Sequence, residues 1–456
     1  MLRWLGVLVV FVGLLVGAVY LGARQVSPPI VSIDAPTSAV GVTGTLVVTV
    51  TVPRGIVSHL DIQLEQNGRV LPLYALGQDG ATVTHPDADH LRVERPLGTA
   101  SVPGLVAGPA RVTAVAGRQS FLRLHTAIAN ATRDITVSLT PPTLSVVSTA
   151  HYVAQGGSEL VVYRVRPADA TTRVVVGDRE FPGWPASAAG VRDSDPSLHV
   201  ALFSLGPDQP VSTPIALVAV DAAGNRSQVS FVDRVIPKSY RASRIPVDDA
   251  FFARTVPAIL SHTPDLHAAD GSSALDRFLL VNGDLRRRNA AQVAALTAHT
   301  GLARQWTGPL ARLDRSQAEA GFADTRTYVY EGRTVDTQLH LGFDLASTAA
   351  APVTAASGGR VVFADWLGIY GNCVIIDHGL GLASLYGHLS ALEVKAGDTV
   401  AGGQRLGRSG TTGLAGGDHV HFTTLVSGWP VTPIEWWDAH WLQDRVERKL
   451  SEAGAR

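Results

Sequence analysis

Apolar and polar positions alternate through the first half of the chain, which is the pattern of half-buried β-strands. Thr45–Val52 is rich in β-branched residues, and Asn67-Gly68 follows a second alternating segment with residues typical of a tight hairpin turn. Pro141-Pro142 marks a boundary before a second strand-rich block. We therefore predict a mainly β protein with β-sandwich-like blocks at 30–140 and 141–237. One irregular β domain is the alternative.

The second block closes with an apolar strand pattern at Ile215–Val220, followed by Asp221, Gly224 and Asn225. A strand that ends in an Asp-x-x-Gly-Asn turn is similar to the closing hairpin of bacterial immunoglobulin-like domains. This modest resemblance implies an Ig-like β domain at 141–237.

The periodicity becomes helical after Pro237. Ser273–Asn282 and Asn289–Ala298 combine helical spacing with good helix formers, so we predict a small helical linker region at 238–320.

Strand patterns return near Tyr328, together with many glycines, and they predict a compact antiparallel β domain at 321–440. The tail from Trp436 to Ala453 has amphipathic spacing, and we predict a C-terminal helix at 441–456.

The N-terminus carries an uncharged apolar run from Trp4 to Ala23. About 20 helical residues span roughly 30 Å, the thickness of a bilayer core. Residues 1–24 are therefore predicted to be a transmembrane signal anchor. A cleaved signal ending near Leu21-Gly22-Ala23 and a buried helix are the alternatives. The anchor would make the chain a single-pass protein of the inner (cytoplasmic) membrane, with its body in the periplasm or otherwise outside the cytoplasm.

Charge and composition narrow the class of protein. The 456 residues contain 38 Lys plus Arg and 39 Asp plus Glu, a formal net charge of −1, which argues against a nucleic-acid-binding protein. With 46% hydrophobic and 17% charged residues, general disorder is excluded. Cys373 is the only cysteine, so no intrachain disulfide forms.

Two histidine motifs suggest metal chemistry. His340 and Asp344 offer ligand types that zinc accepts, but on a straight strand they would lie too far apart to share an ion. Gly342 would permit a sharp bend between them. His419 and His421 would point to one face of a strand. A polar turn and a pair of exposed histidines are the alternatives.

His388, in Leu385–Ser390, is by itself more typical of a structural histidine. The same holds for Asp377-His378 at a predicted turn. The glycine runs lack the spacing and the Lys of a phosphate loop, which argues against nucleotide binding.

Taken in order, the motifs His-x-Gly-x-Asp, Tyr-x-His-Leu-Ser, Gly-x-Thr-Gly and His-x-His-Phe resemble those of lysostaphin/LytM-type zinc metallopeptidases, which cut peptide bonds in bacterial cell walls. The resemblance covers about residues 322–435. It implies one zinc ion with His340, Asp344 and His421 as ligands, and it implies that His388 and His419 are catalytic. This chain departs from the family at Thr423, where Glu is frequent, and in the glycine-rich turn before His419.

Together with the anchor predicted at 1–24, the resemblance implies a membrane-anchored zinc endopeptidase that hydrolyses stem peptides or cross-links of peptidoglycan. The usual His-Glu-x-x-His base is absent, so His388 and His419 are expected to be the general base and the transition-state stabiliser, without an assignment between them. One alternative is a non-catalytic relative that binds and activates a wall amidase. Another is an adhesion or scaffold protein, with the β blocks contacting an envelope protein.

Overall fold

The structure, a computed structural model, describes residues 2–24, 26–53, 55–120, 123, 125–192 and 195–454. Within the first helix it describes the side chains of Trp4 and residues 10–20. The chain divides into an N-terminal unit, formed by residues 1–142 and 220–227, and a C-terminal unit, formed by residues 143–219 and 228–456.

Among the described residues of the segment 1–142, the structure has helix α1 (Leu2–Arg24) and nine strands. The strands are β1 (Ile30–Ala35), β2 (Ala39–Val40), β3 (Thr45–Thr51), β4 (Val57–Gln66), β5 (Arg69–Ala75), β6 (Thr82–Asp87), β7 (His90–Pro96), β8 (Gly108–Gln119) and β9 (Thr126–Val137). They form two sheets, with the orders β1-β3-β7-β6 and β2-β9-β8-β4-β5.

Side chains from both of these sheets enter one core, including the fully buried Val48 and Leu60. Asn67 and Gly68 have φ values of 52° and 72°, which is the left-handed conformation required by a two-residue hairpin turn between β4 and β5. The hairpin predicted at this position is therefore present.

Part of the predicted anchor at 1–24, including the side chains of residues 5–9, lies outside the described residues. Within the described residues, no helix has both the length and the apolar character to cross a bilayer.

The C-terminal unit begins with a second β region. Its strands are β10 (Thr143–Val146), β11 (Tyr152–Ala154), β12 (Ser158–Arg166), β13 (Thr171–Val176), β14 (Arg179–Pro182), β15 (Trp184–Pro185), β16 (Leu198–Ser204), β17 (Ile215–Val220), β18 (Arg226–Val229) and β19 (Arg234–Ile236). A short 3₁₀ turn at Ala186–Ala189 follows β15. Strands β10, β12, β16 and β15 form one sheet, and β13 joins β14 and β17 in another.

Helices α2 (Asp249–Ser261), α3 (Ala274–Leu280) and α4 (Arg286–Thr297) follow, with a π-helical turn at Val281–Leu285 between the last two. Ser273 begins α3 with a capping box, so the helices predicted in this region are present. The region also contributes strand β20 (Ala242–Val247), which pairs in parallel with a strand of the last domain and was not predicted.

The last domain contains β21 (Gln317–Ala320), β22 (Asp324–Tyr330), β23 (Arg333–His340), β24 (Phe343–Ala346), β25 (Pro352–Thr354), β26 (Gly359–Trp366), β27 (Asn372–Gly379), β28 (Leu382–Leu389), β29 (Ala391–Leu392), β30 (Thr399–Val400), β31 (Arg405–Arg408), β32 (Val420–Val426) and β33 (Trp429–Val431), with a 3₁₀ turn at Gly368–Tyr370. The main sheet has the order β21-β24-β32-β28-β27-β26-β30, with β33 paired to β32. The mainly β class is therefore confirmed.

The helical spacing that begins at Trp436 is interrupted at Asp438. Helix α5 (Pro433–Trp437) ends before it, and α6 (Ala439–Leu442), a π-helical turn at Gln443–Glu447 and α7 (Arg448–Gly454) follow it without a break. Asp438 is extended, and its carboxylate accepts a hydrogen bond from the backbone N–H of His440. Asp438 therefore ends one helix and caps the next.

Candidate metal centre

Three side chains that the sequence selected as metal ligands lie together in the structure. His340 ends β23, Asp344 lies on β24 and His421 lies on the adjacent strand β32, directly opposite Asp344. The Nε2 of His340 is 3.0 Å from both Asp344 Oδ1 and His421 Nδ1, and the last two atoms are 3.1 Å apart. All three residues are buried.

Gly342 allows this arrangement through close packing. The chain leaves one sheet at His340 and enters another at Phe343, and Gly342 lies between them. A Cβ at position 342 would lie 2.6 Å from the imidazole of His421 and 2.7 Å from the carbonyl oxygen of Phe422. The sequence predicted a bend at this glycine, and the structure adds that no larger residue fits beside His421.

Hydrogen bonds determine which ring nitrogen of His340 and of His421 faces the centre of the cluster. His340 Nδ1 lies 2.9 Å from the carbonyl oxygen of Gly321, so Nδ1 donates and Nε2 keeps its lone pair. His421 Nε2 lies 3.0 Å from Thr423 Oγ1, whose hydroxyl donates to the carbonyl oxygen of Leu341 at 3.0 Å. Because that hydroxyl proton is committed, Nε2 of His421 donates and Nδ1 keeps its lone pair.

When both imidazoles are neutral, the inward-facing atoms are therefore two nitrogen lone pairs and one carboxylate oxygen. These three acceptors converge without a proton to share, and a cation is the partner that satisfies all of them. Two imidazole nitrogens and a carboxylate are a donor set that zinc accepts, so the residues fit this metal. The other carboxylate oxygen, Asp344 Oδ2, accepts a hydrogen bond from Arg326.

Two more histidines lie beside His340, Asp344 and His421. His388, the residue before the last in β28, donates from Nδ1 to the carbonyl oxygen of Thr412 at 2.7 Å, and Nδ1 of His419 donates to the carbonyl oxygen of Gly417 at 2.8 Å. Both therefore present Nε2 to the groove, and their ring centroids are 4.8 Å apart. His388 has φ of 64°, a left-handed conformation that costs a non-glycine residue on the order of 1 kcal/mol and that clusters at functional sites.

Burial and mutual charge shift the pKa values of these groups. Burial, and then the charges of His419 and His421, hold the pKa of His388 well below its usual range. Burial lowers the pKa of His421 to about 4. Burial also acts to lower the pKa of His419, but Asp344 outweighs it and raises that pKa.

The carboxyl group of Asp344 shows the opposite balance. Burial acts to raise its pKa, but the positive charge of His340 in its protonated form and then hydrogen bonds from His340, His419 and His421 outweigh burial and hold that pKa well below its usual range. A bound cation would take the place of that proton. The carboxylate is therefore ionised and available as a ligand at neutral pH.

A groove of about 380 Å³ contains all five of these side chains. Ile245 and the helix residues Arg286 and Ala290, which precede the motif-bearing region, also line it. Tyr370 lies over His421 with a ring-centroid distance of 5.3 Å, and burial raises its pKa to about 12.

Some neighbouring groups were missed or excluded by sequence reasoning. Thr423 was noted only as a departure from the family, although its position two residues after His421 on a strand predicts the same face. Arg326 carried no sequence signal. His378 is buried and bonds to the carbonyl oxygen of Gly358 and to Ser384, which is a structural role.

Comparison with known proteins identifies the domain around this groove. Residues 338–433 match the model of Peptidase family M23. The chain therefore carries an M23 peptidase domain in its C-terminal part.

Among similar curated proteins, the DD-carboxypeptidase/endopeptidase Mpg of Neisseria meningitidis serogroup B is 40% identical over 97 residues, which is 21% of this chain and 22% of that protein. The peptidoglycan DD-endopeptidase ShyA of Vibrio cholerae is 40% identical over 96 residues, again 21% and 22%. A lipoprotein NlpD/LppB homolog of Pseudomonas aeruginosa is 42% identical over 22% of this chain and 33% of its own length. The chain thus spans only a minor part of each relative.

Two solved structures are also similar. The catalytic domain of lysostaphin from Staphylococcus simulans is 29% identical, covers 27% of this chain and 92% of its own, and has a TM-score of 0.24. A zinc-containing peptidase from Vibrio cholerae is 14% identical, covers 79% of this chain and 86% of its own, and has a TM-score of 0.27.

Proposed function

We propose that this chain is a zinc-dependent endopeptidase that hydrolyses peptide bonds in the stem peptides or cross-links of peptidoglycan. The observation that carries the proposal is the convergence of His340 Nε2, Asp344 Oδ1 and His421 Nδ1, three acceptors without a shared proton. The similarity to the DD-carboxypeptidase/endopeptidase Mpg and the peptidoglycan DD-endopeptidase ShyA supports the wall peptide as the substrate class.

The roles follow from the donor and acceptor positions. His340, Asp344 and His421 are proposed as the ligands of one zinc ion. Zinc bound in this way supplies Lewis acidity, which activates water and polarises a carbonyl group. Arg326 binds the outer oxygen of Asp344 and so holds the carboxylate in its orientation.

His388 and His419 are proposed as the catalytic histidines, because their Nε2 atoms face the groove while their Nδ1 atoms are held by backbone carbonyls. One of them removes the proton from the attacking water, and the other donates a hydrogen bond to the oxyanion that develops on the scissile carbonyl. Their fixed rings require no reorganisation during the reaction.

Digestion of purified sacculi tests the proposal. The wild-type chain with one equivalent of zinc is expected to release soluble peptide fragments, and mass spectrometry of the fragments identifies the bond that is cut. Chelation with 1,10-phenanthroline should stop the release. Zinc binding without any release would instead favour the rival function, activation of a wall amidase, and adding a purified amidase would then test that rival directly.

We also propose that residues 1–24 anchor the chain in the inner membrane and that the M23 domain lies outside the cytoplasm. The uncharged run from Trp4 to Ala23 and the extracytoplasmic substrate support this location. Membrane fractionation, combined with protease treatment of spheroplasts, tests it. A chain that stays in the soluble cytoplasmic fraction would contradict it.

A further inference from the structure

Arg286 brings a positive charge into the metal-site groove from outside the M23 region. It is the first residue of α4, whereas the family match begins at residue 338. It nevertheless lines the same groove as Asp344 and the four site histidines. Its charge also reaches the hydroxyl group of Tyr370, where it opposes the rise in that pKa caused by burial.

Neutral partners hold the guanidinium group of Arg286 in place. Asn282 is fully buried, and its Nδ2 donates to Asp336 Oδ2 at 2.7 Å, which leaves Oδ1 to face Arg286. Arg286 Nη2 donates to that Oδ1 at 2.7 Å, and its Nε donates to the backbone carbonyl oxygen of Asn282 at 3.1 Å. Because Asn282 is buried, the orientation of the Arg286 guanidinium group is fixed before any ligand binds.

The charge of Arg286 is not neutralised by an ion pair. Within the described residues, no carboxylate lies within ion-pair distance of Arg286, and no hydrogen-bond partner is present for its Nη1. The other arginine in the groove, Arg326, is paired with Asp344. A guanidinium group with free N–H donors binds a carboxylate more strongly than it binds a neutral group.

We propose that Arg286 binds a free carboxylate of the substrate, so that the groove selects peptides that carry a carboxylate near the bond that is cut. This inference rests on the proposed peptidase function and names a substrate class for it. It also gives the helical region a direct role in substrate recognition, since Arg286 belongs to α4.

The test compares two synthetic substrates with the full chain loaded with zinc. One is a cross-linked peptide dimer with free carboxylates, and the other is the same dimer with those carboxylates amidated. The wild type is expected to have a kcat/KM about 10- to 100-fold higher for the free acid. Arg286→Gln should lose this preference. Arg286→Lys should keep part of it, because Lys retains the charge but lacks the planar guanidinium group with its paired N–H donors.

Arg287→Gln is the matched control, since Arg287 is the next residue, is exposed and pairs with Asp284. It should keep the wild-type preference. An unchanged ratio of the two kcat/KM values in Arg286→Gln, or no preference in the wild type, would overturn the carboxylate site.

Binding separates a failure of this inference from a failure of the peptidase function. If the wild type cuts neither dimer, the proposed function fails, and isothermal titration of the zinc-free chain with the two dimers still tests Arg286. Tighter binding of the free acid by about 10-fold or more, lost in Arg286→Gln, would support the site. Equal binding of both dimers would contradict it.

Discussion

Two clusters of buried charged groups in the C-terminal unit differ in how they are satisfied. Glu159 and Asp344 are both buried carboxylates on strands. Glu159 meets donors, since Lys449 Nζ lies 2.8 Å from its Oε1 and the backbone N–H of Leu160 donates to it at 2.8 Å. Asp344 Oδ1 instead meets the lone pairs of His340 and His421.

The difference separates a structural cluster from a functional one. A buried charge is costly unless it is paired, and the cluster around Glu159 is complete with groups of the chain itself. At the cluster around Asp344, three imidazole nitrogens, which are neutral or protonated according to pH, converge on Oδ1, and Arg326 binds the outer oxygen. Buried imidazoles and a carboxylate that converge on one point are expected at a site that binds a cation.

The largest effect is expected when the cluster around Asp344 loses one of its three proposed metal ligands. His421→Ala should abolish zinc binding and reduce peptide hydrolysis by at least about 10³-fold, because the metal and its Lewis acidity are lost together. His340→Ala and Asp344→Ala should behave alike. Metal analysis of the purified variants and the release of fragments from sacculi measure this. A His421→Ala variant that keeps a full equivalent of zinc would contradict the ligand assignment.

Removing a catalytic histidine should separate metal binding from activity. His388→Ala and His419→Ala are expected to keep one zinc ion and to lose activity by about 10²- to 10⁴-fold, the range for a general acid–base group. The same metal and activity measurements apply. Full activity in His419→Ala would remove that residue from the mechanism.

Breaking the complete cluster should affect stability instead. Lys449→Met leaves the carboxylate of Glu159 buried without its main partner, and we expect a loss of about 3–5 kcal/mol in the free energy of unfolding. Urea unfolding measures it, and zinc stoichiometry of the folded protein should stay at one. The double variant Glu159→Gln with Lys449→Met should recover part of the loss. No destabilisation in Lys449→Met would show that Glu159 is satisfied without the ammonium group.

Glu435, next to the complete cluster, should give a pH dependence. Burial raises its pKa to about 7, although Ser158 donates to it through its N–H at 2.7 Å and through its hydroxyl. As the pH rises from about 4.5 to 7, the unfolded state ionises this group while the folded state still holds the proton. The free energy of unfolding should therefore fall, by up to about 3 kcal/mol.

Other groups titrate in the same window, so the test is the difference between the wild type and Glu435→Gln. The wild type should lose more stability between pH 4.5 and 7 than the variant, as measured by urea unfolding at several pH values. Parallel curves would show that Glu435 does not carry the dependence.

The smallest expected effect is at Thr423, which orients His421. Thr423→Val removes the acceptor for His421 Nε2–H, and we expect zinc affinity to fall by about 10- to 100-fold. Thr423→Ser keeps the hydroxyl group and should keep most of the affinity. Competition titration with a zinc-chelating dye measures both. Equal affinities in the Val and Ser variants would contradict this role.

The sequence was informative where the signal is local. Alternation predicted the strands and Asn67-Gly68 predicted a hairpin, because these depend on neighbouring residues. The broken tail was not predicted, since its helical periodicity continues through Asp438 although the helix does not.

The groove also contains groups that no local pattern could predict. Arg326 and Arg286 reach it from β22 and α4, and only the folded chain brings these elements to the motif histidines. The alternation of side chains along a strand predicts that Thr423 lies on the same face as His421. The hydrogen bond from Thr423 to the carbonyl oxygen of Leu341 could not be predicted in this way, because Leu341 lies in the connection between β23 and β24.

The most direct test of the account is a crystal structure of the zinc-soaked protein with anomalous data collected at the zinc absorption edge. The account predicts one anomalous peak about 2.0–2.2 Å from His340 Nε2, His421 Nδ1 and a carboxylate oxygen of Asp344. No peak at this position, with these three side chains turned away from one another, would contradict it.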